Sequence, residues 1–241
     1  MSGVSTERAW ADLRQVVLAT TDPSGVAGTL RSQLGLGRGF GDPELAAFGI
    51  ADDTMAVGAH TYLEVVSPLT PDHPIAGWLG RRGGSGGYLL SVQVSDIESC
   101  LARCAAEGVR VTVRHVVQGW HVAQLHPGDM GGSSVELDGL HDRGRWFWDS
   151  LDVDRPSTAL VDDVVAVDVA CDDPAAMLAR WAMVFGLDAD TSAGTLSLGG
   201  RLVRFVPAGD RKGLVAADLR TVDRTSAGAS FTAGSVEFRL V

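Results

Sequence analysis

Apolar and polar residues alternate with a period of two over several short stretches of this chain. Leu13–Thr20 puts Val16 and Leu18 on one face and Gln15 and Val17 on the other. Thr61–Val66 carries a single acid, Glu64, between Leu63 and Val65. Tyr88–Ser95 sets Leu90, Val92 and Val94 against Leu89, Ser91 and Gln93. Such alternation marks strands with one buried face. Between them, Thr21-Asp22-Pro23-Ser24 offers a cap followed by proline in a first turn. It predicts a helix running to Leu34, ended by Gly35 and Gly37. Phe48–Ala51 and Met55–Ala59 flank Asp52-Asp53-Thr54 and predict a hairpin. Asp96 caps a second helix over Ile97–Glu107, closed by Gly108, and Val109–Val117, Trp120–Leu125 and Ser133–Asp138 supply three more strands.

The order strand, helix, three strands thus occurs twice. It predicts an α+β fold in which paired β-α-β-β-β modules form one curved eight-stranded sheet over residues 11–140, with two helices on its outer side. The order starts a third time after residue 162. Val164–Ala170 is a strand, Asp172-Asp173-Pro174 opens a helix to Gly186, and Thr195–Leu198, Arg201–Val206, Leu214–Val222 and Ser235–Val241 are strands. No helix pattern follows Leu214–Val222, so residues 163–241 form a shortened domain of the same type. Residues 141–162 form an aromatic-rich linker. Its Trp146, Phe147 and Trp148 are consecutive and cannot share one face. Two placements stay open: packing across a domain or subunit contact, or folding back onto the first domain.

Composition narrows the function classes. With 241 residues, 45% hydrophobic and 21% charged, the chain has material for a sizeable core. A formal charge of −10 argues against a nucleic-acid partner. No apolar run is long enough to span a bilayer, and Met1–Trp10 lacks a leader pattern, so the expected location is the cytoplasm. Arg81-Arg82, beside a glycine-rich stretch, is the local candidate for an anionic ligand, against the plainer reading of a solvated pair. Cys100, Cys104 and Cys171 read as reduced packing residues.

Alternation also sorts the side chains of a curved sheet. If the apolar faces meet the helices, the opposite faces line the concave side with Gln15, Glu64, Leu89, Ser91, Gln93 and Glu136. A cup lined with oxygen-bearing side chains suits a small-molecule ligand. Glu64 and Glu136 are the candidate catalytic groups, because close carboxylates raise one another's pKa and can keep one of them a neutral acid. In the shortened domain the inward positions are Ala166, Arg204 and Glu237, which predicts an Arg204–Glu237 ion pair.

Two segments, YLEVVSPLTPDHPIAGWL from Tyr62 and LHPGDMGGSSVEL over Leu125–Leu137, resemble the vicinal-oxygen-chelate superfamily of glyoxalase-like proteins. Over about Leu13–Leu140 the likeness is to the methylmalonyl-CoA epimerases. The resemblance implies a divalent metal held by four inward positions, which map to Gln15, Glu64, Leu89 and Glu136. Leu89 has no lone pair, so the expected metal set is Gln15, Glu64 and Glu136, weak or absent, with no tightly bound cofactor. Gln15, Leu89, Ser91, Gln93, Gln124 and His126 are the expected substrate-binding residues. Two functions stay open at this point, beside a scaffold whose cup is only core. One is a lyase or isomerase acting on a small oxo-acid or acyl thioester. The other is a metal-free binding protein of the antibiotic-sequestering kind. Either would take a small-molecule ligand, and a homodimer is an expected assembly.

Overall fold

The computed structural model describes residues 8–241. Met1–Glu7, most of the stretch inspected for a leader, lie outside the described residues.

The first sheet is built from β1 (Ala11–Thr20), β2 (Ile50–Ala56), β3 (Tyr62–Pro68), β4 (Ser85–Val94), β5 (Val111–Val117), β6 (Trp120–Leu125) and β7 (Ser134–Asp138). Their order is β2-β3-β1-β4-β7-β6-β5. β1 and β4 pair antiparallel at the centre, each flanked by a parallel neighbour, β3 and β7. This central pairing is where two like modules meet edge to edge, and the sheet curls into a half-barrel.

The sheet has seven strands where the alternation predicts eight. Ile50–Ala56 is one continuous strand paired with β3, so the hairpin around Asp52-Asp53-Thr54 does not form. The two aspartates read as turn residues, but a strand exposes them to different surroundings. Asp53 reaches Arg31 on the helix side, while Asp52 faces the concave side. All that remains of the missing strand is an isolated bridge between Phe40 and Thr54.

Two helices, α1 (Pro23–Leu34) and α4 (Ile97–Ala106), cover the outer face. Asp22 caps α1 and Asp96 caps α4, each side chain accepting from a first-turn backbone N–H. Gly35, with φ of 64°, closes α1 in the left-handed conformation that costs a glycine least. Leu30 and Leu34 of α1, and Cys100 and Cys104 of α4, pack on Leu63, Val65, Leu90, Val92 and their neighbours. Short helices α2 (Pro43–Ala47) and α3 (Pro74–Gly80) lie in the connections around β2 and β3. α3 sits on the concave side, where Ile75 and Leu79 cover Val17, Ala19, Val66 and Leu89.

The second sheet contains β8 (Val161–Cys171), β9 (Thr195–Leu198), β10 (Arg201–Pro207), β11 (Gly213–Thr221), β12 (Ser230–Ala233) and β13 (Val236–Leu240), in the order β12-β13-β11-β8-β10-β9. One long helix, α5 (Pro174–Phe185), follows β8. After β11, a single 3-10 turn at Arg224–Ser226 stands where a fourth long helix would be. The two sheets share one apolar core, in which α5 contributes Leu178, Trp181, Val184 and Phe185. They touch where Ser133 accepts from Leu214 N and donates to Gly87 O, at 2.8 and 2.9 Å.

The ion pair expected between Arg204 and Glu237 does not form. Arg204 donates to Asp168 at 2.5 Å and to Asp218 at 2.7 Å. Arg239 binds the same two aspartates, at 2.7 and 2.6 Å. Register explains the difference: Arg204 lies beside Asp168, and Arg239 beside Asp218, on adjoining strands. Glu237, two residues before Arg239, reaches only that arginine, at 3.8 Å.

Candidate functional site

The concave face of the first sheet is organised in rows running across the strands. In the middle row, Thr54 on β2 lies beside Glu64 on β3. Gln15 on β1 lies beside Ser91 on β4, Ser91 beside Glu136 on β7, and Glu136 beside Gln124 on β6. Glu64, Ser91, Gln124 and Glu136 point away from the helices because their neighbours in sequence are core residues. A bulge in β1 between Leu13 and Gln15 turns both Arg14 and Gln15 to the concave side.

Hydrogen bonds hold this belt. Gln15 Nε2 donates to Glu64 Oε2 at 2.7 Å, and Gln124 Nε2 donates to Glu136 Oε2 at 2.8 Å. Ser91 Oγ donates to Asp138 Oδ2 at 2.5 Å. Burial pushes the Glu64 carboxyl well above the usual range, and the charges of Asp52, Glu136 and Asp42 add to the effect. Burial raises Glu136 as well, opposed by the amide of Gln124. Asp138, 1% exposed, is raised well above the usual range by burial and by Glu136. The belt therefore favours neutral carboxylic acids at positions where water is largely excluded.

Asp52 is one strand step from Thr54, on the same face. Its carboxylate accepts from Asp42 N at 2.9 and 3.0 Å and from Thr54 Oγ1 at 3.4 Å. Burial, set against the Asp42 N–H and aided by the Asp42 charge, raises it to about 6. It lines a cavity of about 320 Å³ together with Asp42, Pro43, Ala46, Ile50 and Leu69. Asp52 thus joins a near-neutral pKa, an opening and an electrostatic neighbour in Glu64. The sequence places it in a turn, so its approach to Glu64 could be found only from the pairing of β2 with β3. Asp138 lies at the end of a strand recognised in the sequence, two residues beyond Glu136, and period two alone would put it in the cup.

The other candidate residues divide. Gln15, Glu64, Ser91, Gln124 and Glu136 come together in the belt. Leu89 shares their face but belongs to the apolar row beneath α3, beside Val17. Gln93 is 0% exposed and structural, accepting from Arg14 and donating to the backbone oxygens of Leu140 and Asp142. His126 lies past the end of β6, where its Nδ1 contacts Gly128 N and Arg110, and is not brought into the cup. Arg82 bridges the two sheets through the backbone oxygens of Lys212 and Gly132, its guanidinium 4.5 Å over the Trp78 ring.

The aromatic linker folds back. Trp146 and Phe147, 3% and 8% exposed, pack on Ala56, Tyr62 and Val122 at the lower end of the concave face. Trp148 meets Phe40 edge-on, with ring centroids 5.2 Å apart. The belt thus lies between the linker rings below and α3 above.

A metal of the kind the resemblance implies does not fit these residues. Leu89 occupies the fourth position and is committed to an apolar cluster. The amide groups of Gln15 and Gln124 turn N–H toward Glu64 and Glu136. Among the described residues, no three His, Cys, Asp or Glu side chains form a metal-holding group. The chemistry available to the belt is that of its carboxyl groups.

Comparison with known proteins places the first half. No family model matches the chain. The mitochondrial methylmalonyl-CoA epimerase of Bos taurus is 31% identical over 107 residues, 43% of this chain and 61% of that protein. The human mitochondrial enzyme of the same name is 33% identical over 82 residues, 33% of this chain and 47% of the enzyme. The first half of the chain is similar in sequence to the methylmalonyl-CoA epimerases. The chain spans 61% and 47% of the lengths of these two relatives. Among solved structures, the Mycobacterium tuberculosis methylmalonyl-CoA epimerase overlays with a TM-score of 0.46 and 26% identity, over 53% of this chain and 86% of that one. A methylmalonyl-CoA epimerase in complex with methylmalonyl-CoA and NH4+ gives 0.45 and 20%, over 54% and 94%.

Proposed function

We propose that the belt moves a proton at the carbon next to the carbonyl of an acyl-CoA thioester, an isomerase-type reaction. The observation that carries this reading is Asp52, a carboxylate raised to about 6 at the wall of a cavity and beside Glu64. A base with a pKa just below neutral is ionised at pH 7 and still basic enough to accept a proton in a transition state. The C–H electron pair then moves into the thioester as an enolate, whose oxygen needs a hydrogen-bond donor. Glu64, which burial and nearby charge push toward its protonated form, supplies an O–H group for that oxygen, while Glu136, pushed the same way by burial, keeps its own proton for carbon. Gln15 and Gln124 fix the two carboxyls by binding Oε2. Return of a proton to the opposite face of the enolate, from Glu136, would invert the centre. The sequence likeness to proteins named methylmalonyl-CoA epimerases supports this class over a sequestering protein.

The test is deuterium uptake into propionyl-CoA and methylmalonyl-CoA in D₂O, read by mass spectrometry. Asp52→Asn should lower the exchange rate by about 10²–10⁴-fold, the usual worth of a positioned base. The wild-type rate should rise with pH and level off above about 6, because the ionised carboxylate is the active form. Unchanged exchange in Asp52→Asn would remove that residue from the reaction.

A further inference from the structure

We infer that Asp42 is a positioning residue for this site, one that acts on the reaction through Asp52 with both its backbone N–H and its side-chain charge. The inference rests on the proton-transfer reading above and adds to it the group that prepares the base. Geometry puts the two aspartates together. The cavity of about 320 Å³ lies between two short stretches, Asp42, Pro43 and Ala46 on one side and Ile50 and Asp52 of β2 on the other, with Leu69 beside them. The Asp42 N–H is shared between the two oxygens of the Asp52 carboxylate, at 2.9 Å from Oδ1 and 3.0 Å from Oδ2. Thr54 Oγ1 donates to Oδ2 at 3.4 Å. A base held by donors from two segments keeps one orientation, which is what proton transfer from a bound carbon needs.

The stretch ahead of α2 is tied down so that Asp42 stays there. Phe40 exchanges both backbone hydrogen bonds with Thr54, its N–H donating at 3.0 Å and its oxygen accepting at 2.8 Å. This bridge carries the chain alongside β2 just before Asp42. A Cβ on Gly39 would collide with the Asp53 carboxylate and press on Thr54 O at 3.0 Å, so the close approach is made at a glycine. Asp42 also caps α2, its Oδ1 accepting from Glu44 N at 2.8 Å. The charged groups that face Asp52 are Asp42, Asp53 of its own strand and Glu64 of β3. Asp53 is paired with Arg31, which offsets its charge, whereas Asp42 forms no ion pair among the described residues. The two parts of Asp42 act in opposite senses. Its N–H favours the ionised form of Asp52, while its carboxylate disfavours that form and adds to burial, the largest cause. A residue that only capped α2 could be exchanged for another cap with no effect on Asp52.

The experiment reads one carboxyl in two ways on the full chain. Asp52 is titrated by ¹³C NMR of aspartate-labelled protein, its signal assigned with Asp52→Asn, and deuterium uptake into propionyl-CoA is followed over the same pH range. Wild type should show a midpoint of about 6 in both, with uptake at pH 5 about a tenth of that at pH 8. Asp42→Asn keeps the N–H and a good cap but removes the charge. Losing a negative neighbour favours the ionised form, so the Asp52 midpoint should fall, yet stay above the ordinary carboxylate range because burial remains. The ratio of uptake at pH 5 to uptake at pH 8 should at least roughly double. Asp42→Ser, a smaller neutral cap, should act in the same direction and serves if the asparagine variant does not fold. Folded variants with the wild-type Asp52 midpoint overturn the inference and reduce Asp42 to a cap. A lowered NMR midpoint without deuterium uptake in any protein retains the hold of Asp42 on Asp52 and sinks the proton-transfer reading. Wild-type uptake that does not follow the NMR titration removes Asp52 as the base, and the inference falls with it.

Discussion

At Glu64, Glu136 and Asp138 burial opposes ionisation, and the consequence is a pH dependence of stability. An unfolded carboxyl of this kind titrates near about 4.3. In the fold these groups hold their protons to higher pH. Their contribution is fully present below the unfolded value and is lost as pH rises through the raised folded values, because the folded chain then binds more protons than the unfolded one. Glu64→Gln keeps an acceptor for Gln15 and cannot ionise. It should therefore be near neutral at pH 4.5 and stabilise by about 1–3 kcal/mol at pH 8, as read from urea midpoints at the two values. A variant with no gain at pH 8 would show that Glu64 ionises freely. Leu89 teaches a related lesson. Histidine at that position would complete a ligand set on paper, but Leu89 packs against Ile75 and Leu79 of α3. Leu89→His should lower stability by about 2–4 kcal/mol through lost packing and an unpartnered ring, measurable in the same melts.

At the scale of elements, the two sheets treat their concave centres differently. The first keeps carboxyls and amides in a row and covers them with rings and a short helix. The second puts Asp168, Arg204, Asp218 and Arg239 on four adjoining strands, where each arginine binds both aspartates. The aspartates are about a tenth exposed and the arginines about a third. Removing Asp218 leaves both arginines short of one partner, while replacing Asp218 and Arg239 together removes one charge of each sign. Asp218→Ala should therefore cost about 1–3 kcal/mol, and the double replacement should cost less than the sum of its parts. A double-mutant cycle with coupling near zero would reduce the network to solvent-screened surface pairs.

For the whole molecule, the two sheets share a core, and their contact at Gly87 leaves no room for a side chain. A Cβ on Gly87 would lie 2.3 Å from Leu214 O and 2.6 Å from Leu214 Cβ. Gly87→Ala must push β4 from β11, and backbone atoms on the far side cannot give way. The variant should lose about 2–4 kcal/mol. Wild type should unfold in one calorimetric transition, since breaking either sheet exposes the core of both. Two separated wild-type transitions would show that the sheets are energetically independent.

What the sequence determined by itself is the sidedness of nearly every strand in the first sheet. A period of two is a property of the extended backbone, so Gln15, Glu64, Ser91 and Glu136 could be assigned to one face before any partner was known. The two aspartate-capped helices, and the missing helix after β11, were legible for the same local reason. The pairings across the sheet were not. Asp52-Asp53 looks like a turn, and only its ladder with β3 makes Asp52 a neighbour of Glu64. Arg204 finds Asp168 and Asp218 rather than Glu237 because register sets which side chains meet. The linker carries three consecutive aromatics and no period at all. Its direction was decided by the tertiary structure alone, where an uncovered apolar end of the cup at Tyr62 and Val122 gave Trp146 and Phe147 a surface to bury.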